Sequence, residues 1–140
     1  MQPEEAAAAI RMHADRLGFD QVRFCTVPKG LGIAGYDRFL AAGRHGEMKW
    51  MVRSRPPREK PRLLLPGVKT AVVLGVGYHW PAPPDPGGLT GRVSRYAWGR
   101  DYHNLIGKRL RKLGRAISEE LPGIQHYFGV DSRPIIERAW

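Results

Sequence analysis

Cysteine is almost missing from this chain. Among its 140 residues there is one, Cys25, and a single thiol excludes both an internal disulfide framework and any site that needs several thiolates. A lone cysteine is typical of a reducing compartment, where we expect it to be a small buried core residue. The sequence therefore favours a cytoplasmic protein.

Long hydrophobic runs are missing too, and acidic residues are scarce. No apolar stretch reaches the length of about 18 residues that a membrane span needs, and the N-terminal residues Met1-Gln2-Pro3-Glu4-Glu5 are acidic. Neither a membrane span nor a secretory signal is expected. The 13 Asp and Glu residues stand against 23 Lys and Arg, which leaves a net charge of +10. This excess favours a polyanionic partner.

The pattern of apolar residues predicts alternating helices and strands in one domain spanning residues 1–140. The fold class expected is α/β, with a small mixed sheet flanked by helices. Residues 69–78 are apolar on both faces and are predicted to lie in the middle of that sheet. Pro56 and Pro57 are expected to break a short helix. The predicted helices are residues 4–17, 36–42, 46–52 and 101–121, and the predicted strands are residues 21–27, 69–78 and 126–130.

The segment around Asp131 is predicted to pass from a strand into a helix. Asp131 or Ser132 can cap the first free amides of that helix, and Pro134 suits its first turn. From position alone, Asp131 is an N-cap. An acid delivered by a strand end to a helix start can also serve a reaction, so both interpretations stand at this point.

The predicted helix at residues 101–121 is amphipathic and strongly basic. Its apolar stripe is Ile106, Leu110, Leu113 and Ile117, and its outer face carries Lys108, Arg109, Arg111, Lys112 and Arg115. No Asp or Glu occurs between Asp101 and Glu119, so neighbouring carboxylates cannot neutralise these charges. The face is either a solvated surface or a contact for a phosphate backbone.

Two further patterns are not expected to carry chemistry. Residues 30–35 read Gly-Leu-Gly-Ile-Ala-Gly and match a dinucleotide fingerprint, but glycines and prolines interrupt the helix and strand that must follow. These glycines are expected to shape a loop. The histidines show no spacing typical of a metal site, so no metal ligands are predicted.

Three motifs in one order resemble a known family. They are Leu63-Leu64-Leu65-Pro66-Gly67, the run from Arg92 to His103 that contains Gly99-Arg100-Asp101-Tyr102-His103, and Val130-Asp131-Ser132-Arg133-Pro134. Over essentially its whole length the chain resembles the N-terminal part of epoxyqueuosine reductase. That family consists of cobalamin-dependent iron-sulfur enzymes that remove the epoxide oxygen in the last step of queuosine formation in tRNA.

The resemblance implies a role for four residues. Asp131 would be the proton donor above the cobalt face of cobalamin, and Arg58 and Ser94 would contact the cofactor. Ser94 stands where relatives carry cysteine, so only a hydroxyl contact is expected there. His103 would be a cofactor contact or, equally, a residue of the first helical turn beside Asp101.

The resemblance also implies what this chain cannot do alone. The family's two four-iron clusters each need four thiolates, and the chain has one cysteine. We therefore expect a truncated N-terminal domain whose iron-sulfur region is absent or is a separate partner half, with tRNA as the substrate. The alternative is a non-catalytic basic RNA-binding module derived from that family.

Overall fold

The computed structural model describes residues 2–27, 32–84 and 86–137. The chain divides into two compact units, Met1–Gln21 with Leu74–Ile124, and Val22–Val73 with Gln125–Trp140. The elements in chain order are α1 (Pro3–Arg16), β1 (Gln21–Thr26), α2 (Ile33–Ala41), α3 (Lys49–Arg53), α4 (Arg55–Glu59), β2 (Thr70–Gly75) and α5 (Tyr102–Glu120), with 3₁₀ turns at Pro61–Leu63 and Arg95–Ala97.

Helix α1 begins and ends where its local signals predict. Pro3 occupies the first helical position, and the Gln2 amide donates to Glu5 Oε2 at 2.9 Å. The helix stops before Gly18, whose φ of +76° is a left-handed conformation that glycine adopts without strain. The prediction of a helix over residues 4–17 is therefore confirmed to within one residue.

The core of the first unit lies between α1 and α5. Ile10 and Ala14 on α1 and Leu113 on α5 are buried, together with Phe19 just after α1. Gly114 is buried beside Leu113 on α5. The apolar stripe predicted on the last helix thus faces α1, and its Asp101 is the N-cap, accepting a hydrogen bond from the His103 amide at 2.9 Å.

Among its described residues, the second unit contains three short helices. The Tyr36 hydroxyl on α2 donates to the Met51 carbonyl on α3 at 2.8 Å, which joins these two helices. The prediction that a short helix ends before Pro56 and Pro57 is confirmed, because α3 ends at Arg53. A separate helix that was not predicted, α4, begins at Arg55 and has both prolines in its first turn. A first-turn residue has no intrahelical partner for its N–H, so proline loses nothing there.

The sheet has two strands, β1 and β2. The Val27 amide donates to Lys69 O at 3.1 Å and the Asp20 amide donates to Gly75 O at 2.9 Å, which makes the pairing antiparallel. The α/β class is confirmed. The central position predicted for residues 69–78 is not observed, because among the described residues β2 pairs with β1 alone and Val73 is 42% exposed.

The segment around Asp131 differs from its prediction. Residues 126–130 form no strand, and no α-helix begins between Asp131 and Glu137, where the described chain ends. The His126 and Phe128 rings stack with centroids 6.2 Å apart, as side chains two residues apart do in extended chain. The periodicity of a strand is present, but the described residues offer no neighbouring strand to pair with, and pairing is what defines a strand.

Candidate functional site

Arg58 lies on α4 in the second unit and is held by three contacts. Its Nε donates to Ser54 Oγ at 3.3 Å, and its Nη1 donates to the Ile135 carbonyl oxygen at 2.7 Å. The guanidinium carbon is 5.1 Å from the centre of the Tyr36 ring, within the range of a cation–π contact. Arg58 therefore ties α4 to the segment that follows Asp131.

The groups beneath Arg58 are themselves fixed. The Ser54 hydroxyl donates to the Met51 carbonyl at 3.1 Å, and the Tyr36 hydroxyl donates to the same carbonyl at 2.8 Å. One backbone oxygen thus orients both side chains that contact the arginine. The sequence around Arg58 did not predict that Tyr36 and Met51 take part in this arrangement. Their positions near Arg58 depend on how α2 and α3 pack.

Arg55, on the same short helix, has a different role. Its Nε and Nη2 donate to the two carboxylate oxygens of Asp37 at 2.9 Å each, and its Nη1 donates to Glu59. These hydrogen bonds from Arg55 hold the pKa of Asp37 below its ordinary value, and the positive charge adds to the effect, while desolvation opposes it. The same bonds raise the pKa of Arg55. Arg55 therefore serves the structure of the second unit.

Asp131 occupies an unusual backbone conformation. Its φ of +27° makes it the one non-glycine residue with positive φ in the described chain, and aspartate and asparagine tolerate that region better than most residues. The Ser132 hydroxyl donates to the Val130 carbonyl at 3.0 Å across the bend. Asp131 is exposed, and the interpretation as a helix cap is wrong because no helix of the described chain starts there.

Ser94 and His103 lie in the first unit, on either side of the turn Arg95–Ala97. Ser94 is exposed and its hydroxyl does not cap that turn. His103 is in the first turn of α5, with Nδ1 2.9 Å from Asp101 Oδ1 and its ring stacked on Tyr102 at 4.2 Å. Of the predicted site residues, the structure thus places Arg58 and Asp131 in one unit and this pair in the other.

A basic groove of about 520 Å³ runs along the first unit, with Leu17 and Leu105 among its lining residues. Its cations are Arg16 from α1 and Lys108, Arg109, Arg111, Lys112 and Arg115 from α5. The sequence pattern identified the five on α5 but missed Arg16, which joins them only because α1 packs against α5. Arg109 differs from the rest, since its Nη1 donates to the Gly18 carbonyl at 2.8 Å.

A row of aromatic rings lies in the same unit. Tyr78 and Tyr96 meet edge to face with centroids 6.4 Å apart, and Tyr96 meets Tyr102 in the same way at 6.1 Å. Tyr78 is 59% exposed and Tyr96 is 54% exposed. Two of these three rings belong to the motif from Arg92 to His103, which predicted a functional segment without showing that its rings form a row.

Comparison with known proteins identifies the family. A family profile described as "Epoxyqueuosine reductase QueG, DUF1730" matches residues 58–132, more than half of the chain. The chain belongs to the epoxyqueuosine reductase family. The resemblance inferred from the three motifs is confirmed.

Relatives named epoxyqueuosine reductase match almost the whole chain. One from Synechococcus sp. strain CC9605 is 36% identical over 143 residues, which cover 99% of this chain and 43% of that relative. One from Aliivibrio fischeri is 38% identical over 142 residues, covering 96% and 38% respectively. The chain therefore spans about two fifths of the length of these curated epoxyqueuosine reductases.

Solved structures show the same fold. The epoxyqueuosine reductase of Streptococcus thermophilus matches with a TM-score of 0.73 at 21% identity, covering 91% of this chain and 35% of that one. A selenomethionine-labelled epoxyqueuosine reductase matches with a TM-score of 0.72 over 97% of this chain. Across the described residues no helix is long and apolar enough to cross a membrane.

Proposed function

We propose that this chain is the N-terminal part of an epoxyqueuosine reductase, in which it provides the proton-donating acid, part of the cobalamin site and part of the tRNA surface. The observation that carries the proposal is the extent of the family match. It runs from Arg58 to Ser132 and so includes Ser94, His103 and Asp131 as well. All four residues expected to serve the reaction lie inside the matching segment.

Asp131 is proposed to supply a proton to the departing oxygen. Removal of an epoxide oxygen as water breaks two carbon–oxygen bonds and consumes two electrons and two protons. The carboxyl group is the side chain in the motif Val130-Asp131-Ser132 that can transfer a proton. The bend places this carboxyl on an exposed turn, where a substrate can reach it. Cobalamin, when bound, supplies the reducing electrons.

The donors available on this chain fit the edge of a corrin, which carries amide groups. Arg58 uses Nε and Nη1 within the second unit, and the described residues provide no hydrogen-bond partner for its Nη2. Ser94 presents an exposed hydroxyl. The His103 side chain is 43% exposed at the start of α5, so its imidazole can be reached from outside. Each of these three residues is proposed, by the family resemblance, as a hydrogen-bond contact to the cofactor.

The electron path must come from elsewhere. Each four-iron cluster needs four thiolates, and one cysteine cannot hold either cluster of the family. We propose that an iron-sulfur region outside these 140 residues completes the enzyme. Cys-x-x-Cys-x-x-Cys runs in that region would support this arrangement.

The basic groove is proposed to receive tRNA phosphates. It gathers six cations from two helices, and the described residues that line it include no carboxylate. Each Lys or Arg that docks on a phosphate releases about one counterion, which drives binding at low salt. Arg109 is already engaged with Gly18, so the other five cations are the proposed phosphate contacts.

A chimera tests the reductase proposal. In the relative from Synechococcus sp. strain CC9605, the matching N-terminal segment, 43% of that protein, is replaced by this chain. The chimera should bind cobalamin, detected by its visible spectrum after gel filtration, and should deoxygenate epoxyqueuosine in tRNA. A folded chimera that binds no cobalamin would contradict the cofactor assignment. This chain alone should bind the corrin only weakly, because a partial site is not preorganised.

A second candidate function is supported by the basic groove itself. The groove lies in the first unit and Asp131 in the second, so RNA binding does not require the proposed acid. On this alternative the chain is a non-catalytic RNA-binding module. An inactive chimera that still binds tRNA in the salt-dependent manner expected of phosphate contacts would favour it.

A further inference from the structure

We propose that the first unit carries a base-stacking site for RNA, the aromatic shelf, formed by Tyr78, Tyr96 and Tyr102 together with His79 and Arg95. The inference rests on the proposed binding of RNA and adds a site to it. The shelf would take an unpaired base, whereas the basic groove takes phosphates. None of its five residues is among those assigned above to the acid, the cofactor or the groove.

The rings of the shelf are positioned by one another. Tyr78 meets Tyr96 at an interplanar angle of 83°, and Tyr96 meets Tyr102 at 84°. Edge-to-face contacts of this kind fix ring orientations. Tyr78 and Tyr96 nevertheless remain 59% and 54% exposed. Large aromatic surfaces that are both oriented and exposed are the platforms on which unpaired bases stack.

A hollow of about 280 Å³ opens beside the shelf. It is lined by Tyr78, His79 and Arg95, together with Val76 and Gly77. This volume is just below the lower limit of about 300 Å³ for sites that take drug-sized ligands, and so it suits a single ring system. The Gly77 amide donates to Asp20 Oδ2 at 2.6 Å, which holds this part of the lining in place.

The polar groups of the hollow suit a nucleotide. Arg95 Nη1 lies 2.7 Å from His79 Nδ1 and 3.3 Å from His79 Nε2, so the guanidinium lies against the imidazole ring. The Arg95 guanidinium supplies positive charge for a phosphate. None of the described lining residues carries a carboxylate, and Asp20, which touches the lining at Gly77, is engaged in the hydrogen bond from that amide.

The shelf and the basic groove lie along one helix. Tyr102 is the first residue of α5, and the groove residues run from Lys108 to Arg115 on the same helix. At 1.5 Å per residue, these positions lie about 9 to 20 Å from Tyr102 along the helix axis. A single RNA strand of a few nucleotides spans that distance, so a base on the shelf and phosphates in the groove can belong to one strand.

Fluorescence anisotropy with labelled RNA tests the shelf. The probes are a single strand about ten nucleotides long and a blunt duplex of the same sequence. Tyr78→Ala and Tyr96→Ala should each weaken binding of the single strand by about 5- to 150-fold, the equivalent of about 1–3 kcal/mol per stacked base. Duplex binding and the salt dependence should not change, because no cation is removed.

Matched variants give the test its controls. Tyr78→Phe and Tyr96→Phe keep the ring faces and should bind the single strand like the original chain. Tyr127→Ala removes an exposed tyrosine of the second unit, 38% exposed, and should have no effect. The shelf proposal would be overturned if the alanine variants bind the single strand with normal affinity, or if they lose affinity for the single strand and the duplex equally.

A mononucleotide separates failure of the shelf from failure of the proposed function. If the original chain binds neither RNA probe, the proposal of a tRNA surface is lost. Guanosine monophosphate is then titrated while the ring signals of Tyr78 and Tyr96 are followed by NMR. The shelf would be retained as a nucleotide site if the Tyr96 signals shift in the original chain but not in Tyr78→Ala, and the Tyr78 signals shift in the original chain but not in Tyr96→Ala. Ring signals that do not shift in the original chain would overturn it as well.

Discussion

Nη1 of Arg58 donates a hydrogen bond of 2.7 Å to the carbonyl oxygen of Ile135, a residue 77 positions away in sequence. The bond joins α4 to the segment that carries Asp131. Tyr36 lies beneath the same guanidinium at 5.1 Å. Arg58 therefore holds the segment after the proposed proton donor as well as being a proposed cofactor contact, and the two roles use different nitrogen atoms.

Loss of this link should be visible as loss of stability. Arg58→Ala should lower the free energy of unfolding by about 1.5–3 kcal/mol, the range for hydrogen bonds to a charged group. Arg58→Lys should recover only part of this, because one ammonium group cannot reach both Ser54 and Ile135 in the guanidinium geometry. Urea unfolding measures both. Arg62→Ala, at an exposed arginine, should stay within about 0.5 kcal/mol of the original chain, and equal losses at both positions would contradict the link.

Asp131→Asn separates proton transfer from backbone conformation. Asparagine tolerates positive φ about as well as aspartate, so stability should change by less than about 0.5 kcal/mol. Turnover of the chimera should fall by about 10²-fold or more, because the amide has no proton to transfer. Asp131→Ala should in addition destabilise the fold by about 1–2 kcal/mol. Full turnover with Asn at position 131 would leave the residue a conformational role only.

Salt dependence should distinguish the groove cations from Arg109. Joint reversal of Lys108, Arg111, Lys112 and Arg115 to Glu should reduce the slope of log affinity for tRNA against log salt by about 0.7–0.9 for each phosphate that is no longer neutralised. As a control for net charge, reversal of the exposed cations Arg38, Arg44, Lys49 and Arg53 should leave most of that slope. If both sets of charge reversals reduce the slope equally, tRNA binding depends on the overall charge of the chain and the groove is not the binding site.

Arg109 should behave as a structural residue. Arg109→Ala removes the bond to the Gly18 carbonyl, which follows the C-terminal end of α1, and should lower the free energy of unfolding by about 1–2 kcal/mol. Its effect on the salt slope should be smaller than that of Lys112→Ala. Thermal unfolding and anisotropy on the two variants measure this contrast, and the opposite order would move Arg109 into the phosphate-binding set.

The ion pair between Asp37 and Arg55 should stabilise the second unit at neutral pH and should lose this stabilising effect in acid, where Asp37 is protonated. The pKa of Asp37 is lowered in the folded chain from its ordinary value of 3.8. Because the pKa of Asp37 is lower in the folded chain, its ionised carboxylate adds to the free energy of unfolding above pH 3.8. This contribution is lost as the pH falls through the pKa of the folded chain. In urea titrations across this range, Asp37→Asn should remove that part of the acid dependence. Asp15→Asn, at an exposed aspartate of the first unit, should preserve it.

Local signals explain which elements were predictable. Helix α1 has Pro3 at its start and Gly18 after its end, and α5 has Asp101 as its cap; each signal acts through bonds within the same turn, so the sequence is enough to place them. The end of α3 before the two prolines was predicted, but α4 was not, because proline both stops and starts helices. The extended run at residues 126–130 was misread, because an alternating pattern does not show whether a neighbouring strand exists.

Composition and motifs by themselves determined three properties of this protein: its single thiol, its net charge of +10 and its membership of the epoxyqueuosine reductase family. Tertiary structure alone decided that Arg58 reaches Ile135, that Arg109 reaches Gly18 and that Arg16 joins the groove. These contacts join residues distant in sequence, and two of them end on backbone carbonyls, which every residue possesses. No residue type marks such a partner, so only the packing of the helices and loops could reveal it.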